Sequence, residues 1–261
     1  MPMKALTILL AILPLALSAK DKRGTIPFDE LSDGDAKRVR AVVKHRSFKR
    51  ELKKVEFRGT DDLYAFLLER MPFAAEAVRA LKIENYRVRD NDDGSYTADD
   101  GAGATGKFEI VYSGEGKKVF FALGKYDGKL LKIRGRAVAV VEFKEVDGQK
   151  MQTWVHLYFK FDSLVLNSVV KVISLFIGPL IDKKIQYFLD ATRTLCRLMV
   201  ENPKKVYARL KKAKEMDKKA LKEFHKQFVI NLAKPPDKEA AGKPASTGVP
   251  PAHQNLASGN R

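Results

Sequence analysis

Two hydrophobic periods meet near residue 162 of this chain. Before it, from about residue 85, apolar and polar positions alternate. After it, apolar positions recur at helical spacing. The alternating stretches are 86–89, 95–98, 107–113, 118–123, 129–146 and 150–162. Asp93-Gly94, Glu115-Gly116, Asp127-Gly128 and Asp147-Gly148 stand between extended runs. Glycine supplies the positive φ that tight hairpin turns need, so these stretches predict consecutive hairpins in an antiparallel meander. Period two puts Phe108, Ile110 and Tyr112 on one face of a strand. In the last strand it puts Thr153, Val155, Leu157, Phe159 and Phe161 on one face, and Trp154, His156 and Tyr158 on the other.

Residues 164–200 form the stretch the chain is organised around. The part up to Ile181 is apolar on nearly every side, interrupted by Asn167, Ser168, Lys171 and Ser174. Gly178-Pro179 then predicts a break or kink. Beyond it Ile181, Ile185, Phe188, Leu189, Leu195, Leu198 and Met199 recur at helical spacing, with Thr192 interrupting that face. Lys171 near the middle and Pro179 at the end argue against a membrane span. A helix this apolar needs a large surface over it, and a curved antiparallel sheet supplies one. The expected fold class is α+β.

Upstream, 20–46 reads as a basic lead-in, with Val39, Val42 and Val43 at the spacing of a short helix. A first strand is expected over 47–58. Thr60-Asp61-Asp62 then opens a helix: Thr60 can cap it, and the two acids favour its positive end. Leu63, Phe66, Leu67 and Met71 make its apolar face. Pro72 ends or kinks it, and Ala74, Ala77, Val78 and Leu81 resume the pattern. Downstream, Asn202-Pro203 caps and starts a Lys-rich amphipathic helix over 203–232, with Val206, Leu210, Ala213, Leu221, Phe224 and Phe228 as its apolar stripe, either packed on the domain or lying on an anionic membrane. From 233 to 261 the chain is rich in Pro, Gly, Ala and Ser and reads as a disordered tail.

Composition adds location and charge. Met-Pro-Met-Lys followed by ALTILLAILPLALSA has a positive start, an apolar run and a small-residue exit, so residues 1–19 read as a signal peptide. The run is shorter than the roughly 20 residues that span a bilayer. Export to the periplasm or the medium is expected. The chain of 261 residues carries a net charge of +17 and one cysteine, Cys196. An exported chain with one cysteine has no internal disulfide and depends on its core. Residues 36–58 hold ten Lys or Arg against two Glu, and 203–226 hold nine Lys and Arg209 against Glu215, Asp217 and Glu223. These blocks suit an anionic neighbour or a solvated face.

The candidate chemistry is sparse. Residues 101–107, GAGATGK, match the first seven positions of a phosphate-binding loop, but Phe108 stands where Ser or Thr should hold magnesium, and a strand pattern follows instead of a helix. A hairpin connection is the expected reading. His45, His156, His225 and His253 have no His or Cys partner at a ligand spacing, so no zinc site is assigned. Asp90, Asp92, Asp93, Asp99 and Asp100 fit no calcium loop and read as a solvated turn.

The order of strand, helix pair, meander and long C-terminal helix resembles the helix-grip fold of the START-like superfamily, also called SRPBCC, which includes polyketide cyclase-like and Bet v 1-like proteins. The resemblance covers residues 47–202. It implies an apolar cavity between sheet and C-terminal helix, and hence a lipid or other hydrophobic small molecule as ligand, with no cofactor, metal or catalytic residue assigned. On that basis the cavity residues are Trp154, His156, Tyr158, Val169, Ile173, Phe176, Ile185 and Phe188, with Gly178 and Pro179 as a gate hinge. The Lys-rich helix would hold the mouth near an anionic membrane surface; nucleic acid is not an expected partner. Two other readings stay open. One is a cyclase- or hydrolase-like enzyme in the same fold, needing a polar cluster such as His156 with Tyr158 or Asp162 inside the cavity. The other is a basic, envelope-associated adhesion protein.

Overall fold

The computed structural model describes residues 23–127, 132–162 and 170–230. A short 3-10 turn at Phe28–Glu30 leads into α1 (Asp33–Lys44), then β1 (Phe48–Arg58), α2 (Asp61–Glu69) and α3 (Met71–Ala80). The meander follows: β2 (Arg87–Asp90), β3 (Ser95–Asp99), β4 (Ala104–Gly114), β5 (Lys117–Asp127), β6 (Lys132–Glu145) and β7 (Lys150–Phe161). The long helix α4 (Val170–Glu201) comes next, then α5 (Pro203–Leu210), α6 (Lys218–Phe224) and a π-helical turn (His225–Ile230). The described strands make one antiparallel sheet, ordered β1-β7-β6-β5-β4-β3-β2. Sheet and C-terminal helix together are a helix-grip architecture of the α+β class.

Local chemistry sets the element ends. The Thr60 hydroxyl accepts a hydrogen bond from the Leu63 amide at 3.3 Å, which caps α2 as expected. Pro72 sits in the first turn of α3, where its missing N–H costs nothing, so it restarts a helix directly after α2. Gly94, Gly116 and Gly148 take positive φ at the hairpin turns. Residues 101–103 join β3 to β4, and Gly106 and Lys107 already lie in β4. The phosphate-loop look-alike is thus a hairpin connection.

Both faces of the sheet are covered. On the outer face, Val39 and Val42 of α1 pack on Val119, Phe121, Val138, Val140 and Tyr158. The residues read as a basic lead-in therefore include a helix packed on the sheet. The Ser32 side chain caps it, accepting from the Asp35 amide at 3.1 Å, and Arg38 of α1 pairs with Glu109 of β4. On the concave face, Phe57, Phe143, Met151 and Val155 meet Tyr64 of α2 and Leu195, Cys196 and Met199 of α4. A bulge between Leu52 and Val55 keeps both of these residues packed against this core.

Two expectations about the helices change. Helix α4 runs through Gly178 and Pro179, so the expected break does not occur there. Gly178 leaves room for the Arg50 guanidinium, which a Cβ there would meet at 2.7 Å. Arg50 in turn reaches Asp182, one turn on, at 2.8 Å, so strand β1 grips the helix on both sides of the proline. The Lys-rich segment is not one helix. Asp217 accepts hydrogen bonds from the Lys219 and Ala220 amides at 2.8 and 3.1 Å, which starts a second helix. Asn202 makes no side-chain cap. The apolar stripe packs on the domain: Phe224 and Phe228 close on Phe66, and Phe224 also on Phe73.

Candidate ligand cavity

The sheet register builds a stripe of small residues across the concave face. Val88, Ala98, Gly106, Gly124, Gly135 and Phe161 are successive cross-strand partners from β2 to β7. The next row runs Phe108, Ala122, Ala137, Phe159. Large side chains stand at the ends of each row, and Gly or Ala fills its middle. A β-carbon at Gly106 would meet the Leu123 carbonyl oxygen at 2.8 Å, and one at Gly135 the Lys160 carbonyl oxygen at 2.6 Å, so close strand approach also demands glycine there. Gly124 is under no such constraint: its nearest neighbour would be the Thr105 carbonyl oxygen at 3.7 Å.

Helix α4 passes over this stripe with Ile181, Ile185, Phe188, Thr192 and Leu195 on one face. Glycine and alanine cannot reach that face, so a void is left between the two layers. Its volume is about 610 Å³, within the range of small-molecule pockets. Tyr64, Leu67 and Met71 border it from the α2–α3 side, and its walls are overwhelmingly apolar. Phe188 borders it too and stays 38% exposed, which marks the rim. Tyr86 stacks edge-on against Phe188, with ring centroids 4.9 Å apart.

Of the residues expected to line the cavity, Ile185 and Phe188 do so. Trp154, His156 and Tyr158 do not, which corrects the choice of strand face. They share a face as expected, but it is the outer one; the inward side of β7 carries Thr153, Val155, Leu157, Phe159 and Phe161. Tyr158 belongs to the core under α1. The Arg23 guanidinium lies 4.9 Å from the Trp154 ring. His156 is buried under the N-terminal segment, 3.9 Å from Glu142 and 4.0 Å from Glu51. Asp162 pairs with Arg136 at 2.8 Å. The residues named as an example for the enzyme reading, His156 with Tyr158 or Asp162, therefore lie outside the cavity lining. Val169 falls outside the described residues. Ile173 and Phe176 lie on the backbone of α4.

Asp100, expected with its neighbours in a solvated turn, is buried instead. Asp100, directly after β3, borders the cavity and pairs with Lys184 of α4, which borders it too. Burial works against the Asp100 carboxylate, but the hydrogen bonds from Lys184 and from the Ala102 and Ala104 amides hold its pKa below the usual value. The other acids of the cluster serve turns: Asp90 accepts from the Asp92 amide, Asp93 from Ser95 and Asp99 from Gly101. Among the described residues no group of three or more His, Cys, Asp or Glu could hold a metal ion. No described helix is long and apolar enough to cross a membrane.

The basic segment after α4 does not rim the cavity. None of its residues lines it. Along the α4 axis, Pro203 begins about 22 Å beyond Phe188 at the helical rise.

No protein-family model matches the sequence, and no curated protein matches it. Among solved structures the chain is similar to a conserved protein from Geobacillus kaustophilus, at 12% identity and TM-score 0.42, over 57% of this chain and 95% of that one. It is similar to a START superfamily protein from Mycobacterium smegmatis, at 11% identity and TM-score 0.40, over 58% of this chain and 98% of that one. It is also similar to truncated norcoclaurine synthase from Thalictrum flavum, at 10% identity and TM-score 0.35, over 57% and 93%.

Proposed function

We propose that this chain is an exported binding protein that holds a lipid or other hydrophobic small molecule between its sheet and helix α4. The observation that carries this reading is the void over the Gly106–Gly124–Gly135 row, walled by apolar side chains. Each methylene transferred into such a site contributes about 0.8 kcal/mol, so a medium-length chain suffices for micromolar affinity. The gate in this reading is Gly178–Pro179, where proline deprives α4 of one backbone donor.

Native mass spectrometry of gently purified protein, followed by organic extraction, tests the reading. The expected result is a stoichiometric adduct of lipid size. A bare mass that persists after incubation with a mixed lipid extract contradicts it.

Export is tested separately, by the intact mass of the protein recovered outside the cytoplasm. The expected chain begins at Lys20; a chain that keeps residues 1–19 contradicts cleavage. The reading also has the ligand enter from an anionic membrane surface, met at the rim by Phe188 and Lys184. Salt-sensitive co-sedimentation with anionic vesicles is expected, and its absence argues against that route.

A further inference from the structure

Asp100 and Lys184 are the charged pair at the cavity border; Lys107, Lys125 and Arg136 alternate with the inward Gly106, Gly124 and Gly135, so period two turns their side chains to the outer face. These three cations are held by carboxylates outside the lining. Lys107 pairs with Asp93 at 2.7 Å, Lys125 with Asp127 at 3.0 Å, and Arg136 with Asp162 at 2.8 Å. Lys184 differs, because its partner Asp100 is itself in the lining and has a side chain only 3% exposed. Asp100 is amply supplied with donors: the Ala102 and Ala104 amides reach Oδ1 at 2.7 and 3.0 Å, and Lys184 donates to Oδ2. An ammonium has three donors. Lys184 spends one on Asp100, and no second hydrogen bond from it reaches a described residue.

We propose that the ligand is a long-chain carboxylate, its headgroup seated on the remaining donors of Lys184 and its chain lying along the glycine and alanine rows. The proposal rests on the binding reading above and deepens it. Geometry fixes the polar end: Asp100 holds Lys184 at the border of an otherwise apolar space, so a headgroup there and a chain below it meet the walls that suit each. Donor count fixes the headgroup: the two N–H groups that Lys184 does not spend on Asp100 suit the paired oxygens of a carboxylate. Asp100 already offsets the Lys184 charge, so a monoanion leaves one charge for the 27% exposed side chain of Lys184 to share with solvent, whereas a phosphate monoester would leave two.

The test uses cis-parinaric acid and its methyl ester, which share a chain and differ in headgroup charge, titrated by fluorescence into the full chain. The acid is expected to bind about tenfold more tightly than the ester, the scale of one charge-assisted hydrogen bond. Lys184→Met is expected to remove that preference by weakening the acid alone, and Lys184→Arg to keep it. Equal affinities in the unmodified protein, a comparison that needs no variant, overturn the carboxylate proposal and leave the binding reading standing. A Lys184→Met protein that loses acid and ester equally also overturns it. Failure of both probes to bind overturns both readings together.

Discussion

Gly24 lies flat against the imidazole of His156. A β-carbon at Gly24 would stand 2.6 Å from Nδ1, and the residue holds φ +73°. Its amide donates to Glu142 Oε2 at 2.7 Å, and Glu142 also takes Lys117 at 2.8 Å. The segment ahead of α1 is thus pinned to the outer face of the sheet, and His156 is part of the pin.

Gly24→Ala should release this segment. Positive φ alone costs an ordinary residue about 1–3 kcal/mol, and the overlap with the ring adds to it. Hydrogen exchange should quicken at residues 24–31 with little change in β5 and β6. His156→Ala added to Gly24→Ala relieves the overlap but not the backbone, so protection should return only in part. Unchanged exchange in Gly24→Ala would count against the pin.

Asp100 gives a pH dependence with a definite sign. Its folded pKa is lowered, so its contribution to stability is present above the ordinary carboxylate pKa of about 4 and is lost as pH falls through the folded value. Asp100→Asn should therefore lower the melting temperature at pH 7, and the gap to the unmodified protein should narrow below about pH 4. A gap that is constant from pH 7 to pH 3 would contradict the assignment.

Lys118 and Glu69 should respond unequally to removal. The Lys118 side chain is 2% exposed and donates to Glu69 at 2.8 Å and to Ser113 at 2.6 Å, while Glu69 is 47% exposed. Removing Glu69 strands a buried ammonium; removing Lys118 leaves a carboxylate that water can solvate. Glu69→Ala should cost about 3 kcal/mol and Lys118→Met under about 1 kcal/mol. Urea denaturation of both variants checks the order, and the reverse order would refute it.

Cys196 should be inert in the folded protein. It is fully buried beside Tyr64, Leu195 and Met199, and burial pushes its thiol up to about 12. A thiol-exchange dye at pH 8 should label it only after unfolding. Rapid labelling of the native protein would mean that this end of α4 opens.

The order of strand, helix pair, meander and long helix was legible because these elements carry local signals: alternation in the strands, glycine at the turns, and Thr60 at a helix start. The inward face of β7 was not. Period two says that Trp154, His156 and Tyr158 share a face, but both faces of β7 are covered here, one by α1 and one by α4. Apolar content therefore does not separate them. The cavity-forming row was hidden for a different reason. Gly106, Gly124 and Gly135 become neighbours only through the hairpin registers, although glycine in mid-strand already hints at close approach. Asp100 looked like its neighbours Asp90, Asp92, Asp93 and Asp99, and only the fold brings Lys184, 84 positions away, against it.

The central claim is that the void over the small-residue rows is where a ligand sits. Ala122→Phe with Ala137→Phe fills that void from the sheet side, where both residues border it. The decisive measurement is native mass spectrometry of this double variant beside the unmodified protein, after equal exposure to a mixed lipid extract. The account predicts a lipid adduct on the unmodified protein and none on the variant, with the variant's melting temperature unchanged or raised because space is filled rather than overpacked. An equal adduct on both proteins would place the ligand elsewhere and contradict the account.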